Sequence, residues 1–592
     1  MTTRSRVAQL RAGIPGLPTF RSEALHTPPR TATAAPPEHS DRGRARDGWT
    51  RVLAACLGLL AILFALSLLL DPRGTLGSDS AGKLATLRVM DQRGAFDVDV
   101  GYWAAHADPT GAFHPLYYTN RVDGQWVQVT TLPQLLLAYP LYRAAGARAV
   151  LLFPMLGALL TALAARALAR RWSGDRGWVA FWAVGLATPV AIYALDVWEH
   201  SLGLGLMAWG SVFLLDVATG RGGWRAALAG GMLFGGAATM RTEALVPLAV
   251  AAAIACIAVL ARERRVVPAV TRGAAIVAGS VLALIGEHVL ERVVLGVDLR
   301  AGRASSTAGA AGTGVAERAK EALTTTVGIN GFAPSTDWVL GGVIVACVAG
   351  GTWYLARRPA RTLVGVALFA CAALVYAVRF SDGLGYLPGV LTACPLAVAG
   401  ITVAWSRREL RLAGLLAVAT VPIVWVVQYS GNAKPQWGGR YVLLSGVLLA
   451  TVAVVALGHR REALVAAIAL SALVTGVGVA WLAERSHTVA NGMETLVARH
   501  DQAVVSLDAH LLREGGAFYD PDRHWLTAPP DRLADAVRIV GDAGDTEVAV
   551  LAPAGVRLPQ EVAGFTRGAR GSLEVRPGDP VQLAQYRNSA SP

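Results

Sequence analysis

Lysine is nearly absent from this 592-residue chain: Lys83, Lys320 and Lys434 are the only three. Charge of either sign is scarce too, at 16% of residues against 54% apolar ones, and mean hydropathy is +0.44. A soluble chain of this length needs far more charge to solvate its surface, so a soluble globular enzyme is excluded. The five cysteines (Cys56, Cys256, Cys347, Cys371 and Cys394) all fall inside apolar runs. That leaves neither a loop-borne disulfide framework nor a zinc site, and makes them small packing residues. There is no Gly-rich nucleotide loop, Walker pattern or HExxH run. Nor does a secretory leader pattern open the chain. Residues 1–48, rich in Pro, Arg, Ser and Thr and lacking hydrophobic periodicity, are expected to be a disordered basic tail held in the cytoplasm.

What is present is a succession of apolar runs. Thirteen candidate spans fall at 51–70, 149–168, 178–195, 201–218, 226–241, 245–261, 271–289, 338–356, 361–378, 386–405, 411–428, 440–457 and 462–482. The expected class is therefore an all-α polytopic membrane protein. The net charge of +13 does not point to nucleic acid, because the arginines cluster in short loops between the runs. The alternate loops "ARALARRWSGDRG", "TGRGGWR", "ARERR", "ARRPAR", "SRRELR" and "GHRRE" all fall on one side, the side of the basic tail. By the positive-inside rule that side is cytoplasmic, so the chain is read as a multi-pass plasma-membrane protein with its N-terminus inside and its C-terminus outside. Abundant Ala, Gly, Val and Arg suit a GC-rich genome such as an actinobacterial one.

Three polar segments then lie outside: 71–148, 290–337 and 483–592. The second holds "AGRASSTAGAAGTG" followed by a helical pattern, "VAERAKEALTTT". The third mixes helical patterns ("METLVARHDQAVVSLDAHLL", "PDRLADAVRIV") with a strand-like "TEVAVLAP", enough for a small α/β domain over about 500–585.

Candidate chemistry gathers at the outer ends of spans. "GTLGSDSAGK" (74–83) places Asp79 and Lys83 just after the first span, and "SAGKLATLRVM" has the spacing of an amphipathic helix lying along the interface. Asp79 by itself reads as a helix-capping or solvated turn acid, and Asp97 and Asp99 lie further along the same loop. Lys83 either contacts an anion or snorkels. "WVQVTTLPQLLLAYPLY" (126–142) is read as a second interfacial segment. "TMRTEALVP" holds Arg241 and Glu243, a neutralised packing pair or part of a site. "QYSGNAKPQWGGRYVLL" (428–444) holds Lys434, Trp437 and Arg440, an aromatic–basic anchor or a phosphate site whose glycine pair lets backbone approach a ligand. "YALDVWEHS" (193–201) holds Asp196, Glu199 and His200, a polar turn with acceptor contacts or, through Asp196 and Glu199, a divalent-cation site.

The order of these features resembles the GT-C superfamily of integral-membrane glycosyltransferases, and within it the protein mannosyltransferase and aminoarabinose transferase branch. An acid follows the first span, then a juxtamembrane helix, then a "PLYRAAG" segment leading into span two. "SD" stands where that branch often has "DE", and "TLPQL" replaces an "HPPL"-like turn. The likeness covers roughly residues 50–260 well and the later spans in general pattern. It implies a polyprenyl-phosphate sugar donor and an envelope acceptor (polysaccharide, glycolipid or protein) at the outer leaflet, with Asp79 as the general base taking the hydroxyl proton and Asp99 and Asp97 as its rivals. It also implies cations holding the lipid phosphate. No cofactor is implied beyond a divalent cation in some branches. The alternatives are a transporter or flippase for a lipid-linked saccharide, which would want charges buried mid-span and paired halves, an O-antigen-ligase-like enzyme, and a membrane scaffold.

Overall fold

The structure is a computed structural model. It describes residues 40–128, 134–296, 315–329, 335–381, 388–428, 437–499 and 503–589. The tail before residue 40, the glycine- and alanine-rich stretch 301–314 and Lys434 lie outside the described residues. The chain divides into two compact units, Met1–Ala55 and Cys56–Pro592. Among the described residues the first holds only the start of helix α1 (Ser40–Ser67).

A helix lies in each of the thirteen candidate spans, and nine described helices are long and apolar enough to cross a membrane. Others are shorter because proline restarts the chain: Pro189 precedes a one-turn helix, and Pro395 opens Pro395–Val403. Helices α4 (Leu152–Ser173), α5 (His200–Thr219) and α7 (Leu245–Glu263) end in the arginine-rich loops. There Arg171 pairs with Asp216 at 3.0 Å, Arg262 donates to the Ala218 carbonyl and Arg176 to that of Gly458. One end of the bundle thus gathers arginines, and the opposite helix ends carry Glu199, His200, Glu243 and Arg241, the last closing α6 (Trp224–Met240).

The segment after α1 builds α2 (Ser78–Arg93), an antiparallel hairpin of β1 (Thr119–Val122) and β2 (Gln125–Gln128), and α3 (Gln134–Val150). So 126–128, expected in an interfacial segment, is strand; helix begins at Gln134. The last span is longer than expected. Helix α8 (Arg461–Val497) has 37 residues, roughly 55 Å at 1.5 Å per residue, and carries the chain past residue 483 without a break.

Beyond it a six-stranded sheet has the order β4-β3-β5-β8-β7-β6. Strands β3 (Ala503–Ser506), β4 (Trp525–Thr527) and β5 (Glu547–Ala552) are parallel, and β6 (Glu561–Val562), β7 (Phe565–Glu574) and β8 (Pro580–Asn588) are antiparallel. Helix α9 (Leu533–Asp542) supplies the crossover, as its pattern predicts. Residues 503–506, expected in a helix, are strand because "AVVS" is buried on both faces between β4 and β5, where β-branched valines fit. The helical pattern at 315–326 is observed, as Val315–Val327.

The segment 71–148 and the C-terminal sheet share one hydrophobic core. Ala85 and Val89 of α2, Tyr102, Phe113 and Trp126 pack with Val505, Leu526, Val537, Val550 and Tyr586. Gly516 makes this possible: a Cβ there would stand 1.9 Å from the Ala81 carbonyl oxygen of α2. Helix α2 is therefore enclosed rather than laid along an interface, with ten of its sixteen residues buried.

Candidate active site

Asp79 sits in the first turn of α2, where the helix dipole favours a negative charge. The preceding turn is pinned from three directions. The Leu76 N–H donates to Asp196 (2.9 Å), the Thr75 and Leu76 carbonyls accept from Arg485 of α8, and the Asp71 N–H donates to Ser486. The Asp79 carboxylate, 25% exposed, accepts from two arginines that come from distant parts of the chain. Arg513, from the turn between β3 and β4, approaches at 3.1 Å, and Arg440 at 3.4 Å. Arg513 also reaches Ser78 and Gln128. Burial works to raise the Asp79 pKa, but Arg513 and then Arg440, with Lys83 and Arg241 behind them, outweigh it and hold the carboxyl well below the usual carboxylate range.

One layer deeper lies a tighter set. Lys83 is fully buried; its Nζ pairs with Glu199 at 2.6 Å and donates to the Asp79 carbonyl, so it does not snorkel. Arg241 bridges Glu199 (2.9 Å) and Glu243 (2.6 Å). The Tyr441 ring lies between Arg241 and Arg440, whose guanidinium carbons stand 5.3 and 4.6 Å from its centroid, and Arg440 also lies over Trp198. His200 is 3% exposed, ringed by Trp198, Tyr193 and Tyr441, and neither of its ring nitrogens has a hydrogen-bond partner among the described residues. Beside this layer a small cavity of about 20 Å³, room for about one water, is walled by Leu135, Ala138, Phe153, Pro154, Trp198 and Leu202, with Lys83 and Glu199 in its lining.

The structure thus brings together Asp79, Lys83, Arg241, Glu243, Arg440, Glu199 and His200. It leaves others apart. The Asp99 Oδ1 accepts from the Gly101 and Trp126 N–H groups, and Asp97 pairs with Arg93; both serve the loop's own turns. Trp437 is wholly buried against Trp481 of α8, in a packing position. The Gly438–Gly439 pair closes against protein rather than opening to a ligand: both residues are left-handed (φ +76° and +64°), and Cβ atoms there would meet Pro189 and Thr325. Asp196 accepts from Leu76 N–H and the Ser80 hydroxyl, while Glu199 lies between two cations. That donor set does not fit a divalent cation, and among the described residues no three His, Cys, Asp or Glu side chains converge.

Sequence reasoning missed Arg513, Gln128, Trp198 and Tyr441. Tyr441 and Trp198 stand beside residues already singled out. Nothing local marks Arg513, in "DAHLLREGG".

No protein-family model matches the chain, and no curated protein matches it. Among solved structures it is similar to ArnT from Cupriavidus metallidurans bound to undecaprenyl phosphate, at 14% identity over 92% of this chain and 98% of that one, with a TM-score of 0.40. It is also similar to the Archaeoglobus fulgidus oligosaccharyltransferase in complex with zinc and sulfate (11% identity, 83% and 68% coverage, TM-score 0.40). A third is the archaeal oligosaccharyltransferase AglB from the same organism with an inhibitory peptide and a dolichol-phosphate (12% identity, 84% and 69% coverage, TM-score 0.39). Similarity at this level carries no function with it; the chemistry has to come from the residues around Asp79.

Proposed function

We propose that this protein is a GT-C-type glycosyltransferase that moves a sugar from a polyprenyl-phosphate carrier to an envelope acceptor at the outer face of a bacterial plasma membrane. The observation that carries the reading is Asp79 held between Arg440 and Arg513 where helix ends meet the outer domain, beside a buried layer of paired charges. The acceptor oxygen bonds to the anomeric carbon, the bond from that carbon to the phosphate oxygen breaks, and its electron pair leaves with the lipid phosphate. The hydroxyl proton goes to Asp79. A carboxylate gripped by two arginines is a poor base. Arriving donor phosphate draws Arg440 toward itself and loosens that grip. Arg440 suits this exchange: its fork already spans Asp79 and the Tyr441 hydroxyl, and its Nε has no partner among the described residues. His200 offers a further bond to the phosphate, and Lys434 remains a candidate partner of Arg440.

We read the arginine-rich loops as inside and the C-terminal domain as outside; the gathering of those loops at the bundle end opposite Asp79 supports this reading. A carrier of lipid-linked saccharides would put its ionisable groups mid-span; Glu199, Arg241 and Arg440 all stand at helix starts or ends.

The test is undecaprenyl phosphate binding to the full-length protein in nanodiscs. Wild type should bind. Arg440→Ala should lose about 1.5–3 kcal/mol, as for a charged hydrogen bond removed. Absence of binding by wild type, or unchanged affinity in Arg440→Ala, overturns the reading.

A further inference from the structure

Tyr118 has a left-handed backbone, φ +66°, which is costly for a bulky side chain and persists only where its surroundings impose it. They do so here. The Gln128 amide donates to the Tyr117 carbonyl (3.1 Å), Thr119 Oγ1 donates to the Leu116 carbonyl (2.7 Å), and β1 starts at the next residue. The strain has a geometric product. Consecutive side chains in an extended segment point to opposite faces, yet the Tyr117 and Tyr118 rings lie together, centroids 4.0 Å apart. His510 of the C-terminal domain meets Tyr117 edge-on at 5.2 Å and 89°. Tyr117 is 36% exposed and His510 is exposed, whereas the core aromatics Tyr102, Trp126 and Tyr519 are buried. Tyr118 also adjoins the reacting carboxylate: Arg513, 3.1 Å from Asp79, lies 5.5 Å from the Tyr118 ring centre, and Gln128 links Arg513 to the Tyr117 carbonyl.

We propose that Tyr117, Tyr118 and His510 form a stacking platform for the acceptor's sugar ring, so that the acceptor is a saccharide, free or lipid-linked, with one hydroxyl presented to Asp79. This rests on the glycosyl-transfer reading. A sugar ring has a face of C–H bonds that lies on aromatic rings and a rim of hydroxyls that need polar partners; tyrosine and histidine supply both. A peptide acceptor would instead call for an open strand edge or a groove for side chains; the surface beside Arg513 offers rings.

The test uses the full-length protein in nanodiscs and saturation-transfer NMR with three soluble disaccharides (a mannobiose, an arabinobiose and cellobiose) and a serine-containing hexapeptide. At least one disaccharide should bind wild type and bind at least tenfold more weakly to Tyr117→Ala and His510→Ala. Tyr118→Gly, which tolerates the positive φ, should keep the melting temperature and lose the same binding. Undecaprenyl phosphate affinity should be unchanged in all three variants. Disaccharide binding that survives the substitutions, no disaccharide binding to wild type, or ring-dependent binding of the peptide instead overturns the platform. If undecaprenyl phosphate binds wild type normally in that event, the platform alone fails; if it does not bind, the glycosyl-transfer reading fails first.

Discussion

The deep layer of the site (Lys83, Glu199, Arg241, Glu243) and the upper layer (Asp79, Arg440, Arg513) use the same charged groups at different tightness. Deep pairs stand 2.6–2.9 Å apart between side chains at most 14% exposed. Upper pairs stand at 3.1 and 3.4 Å around an Asp79 side chain that is 25% exposed. The Nε atoms of both Arg440 and Arg513 lack partners among the described residues. Groups that fix geometry are paired to saturation, because an unpaired buried charge is strongly destabilising. Groups that exchange one partner for another keep spare hydrogen-bonding capacity, and among them Asp79 alone is more exposed than the deep layer; Arg440 is 14% and Arg513 1% exposed.

The sharpest way to break this contrast is Asp79→Asn. It should keep the fold, with a lowered melting temperature because buried Arg513 loses its counter-charge, and lose turnover by roughly 10²–10⁴ fold, the usual value of a positioned base, in a single-turnover transfer assay. Because its arginines hold Asp79 below the ordinary carboxylate range in the free protein, the pH profile of kcat/KM should show no acid limb from this residue above about pH 4. In the deep layer the same change should act on stability instead. Glu199→Gln leaves Lys83 and Arg241 short of a counter-charge and should cost about 3–5 kcal/mol in thermal or denaturant unfolding. A Glu199→Gln protein of wild-type stability and no activity would show that the deep layer is chemical rather than structural.

The close pairing of the deep layer recurs in the C-terminal domain. Arg576 holds Asp508 at 2.7 Å and Glu514 at 2.8 Å, and Arg485 of α8 shares Glu514. Burial works to raise both acids, but Arg576 at Asp508, and Arg485 with Arg576 at Glu514, hold them below their ordinary values. Groups so lowered stabilise the fold above their unfolded pKa values, near 4, and lose that contribution as pH falls further. The C-terminal domain should therefore loosen below about pH 4 in hydrogen exchange. Arg576→Ala should cost about 3 kcal/mol and flatten that dependence. The smallest effect expected is that of Asp99→Asn. The amide oxygen still accepts from the Gly101 and Trp126 N–H groups, so stability should change by under about 1 kcal/mol and turnover by less than threefold. A large turnover loss there would move the base from Asp79 to Asp99.

Much of this was legible residue by residue. Asp79 after the first span, Arg241 at a helix end and Arg440 after a glycine pair were each marked by being polar where the neighbouring chain is apolar. Their roles were less so. Lys83 looked like an interfacial cation because the pattern of α2 was taken to face lipid, whereas the C-terminal domain covers it. Trp437 had the composition of a ligand-facing ring and is a packing residue, because Gly478 of α8 leaves it a slot. Residues 503–506 read as helix because a four-residue apolar run has no periodicity to separate strand from helix.

The sequence by itself determined what depends on neighbours along the chain: the helices, the arginine-rich loops and an acid just beyond the first span. Hydrophobic length and local charge act within a few residues, so they can be read in order. Only the tertiary structure decided that Arg513 meets Asp79 across 434 positions, and that the first outer segment and the C-terminal sheet close over a single core. Such contacts depend on which surfaces bury one another, as Gly516 does against α2, and no local pattern records that choice.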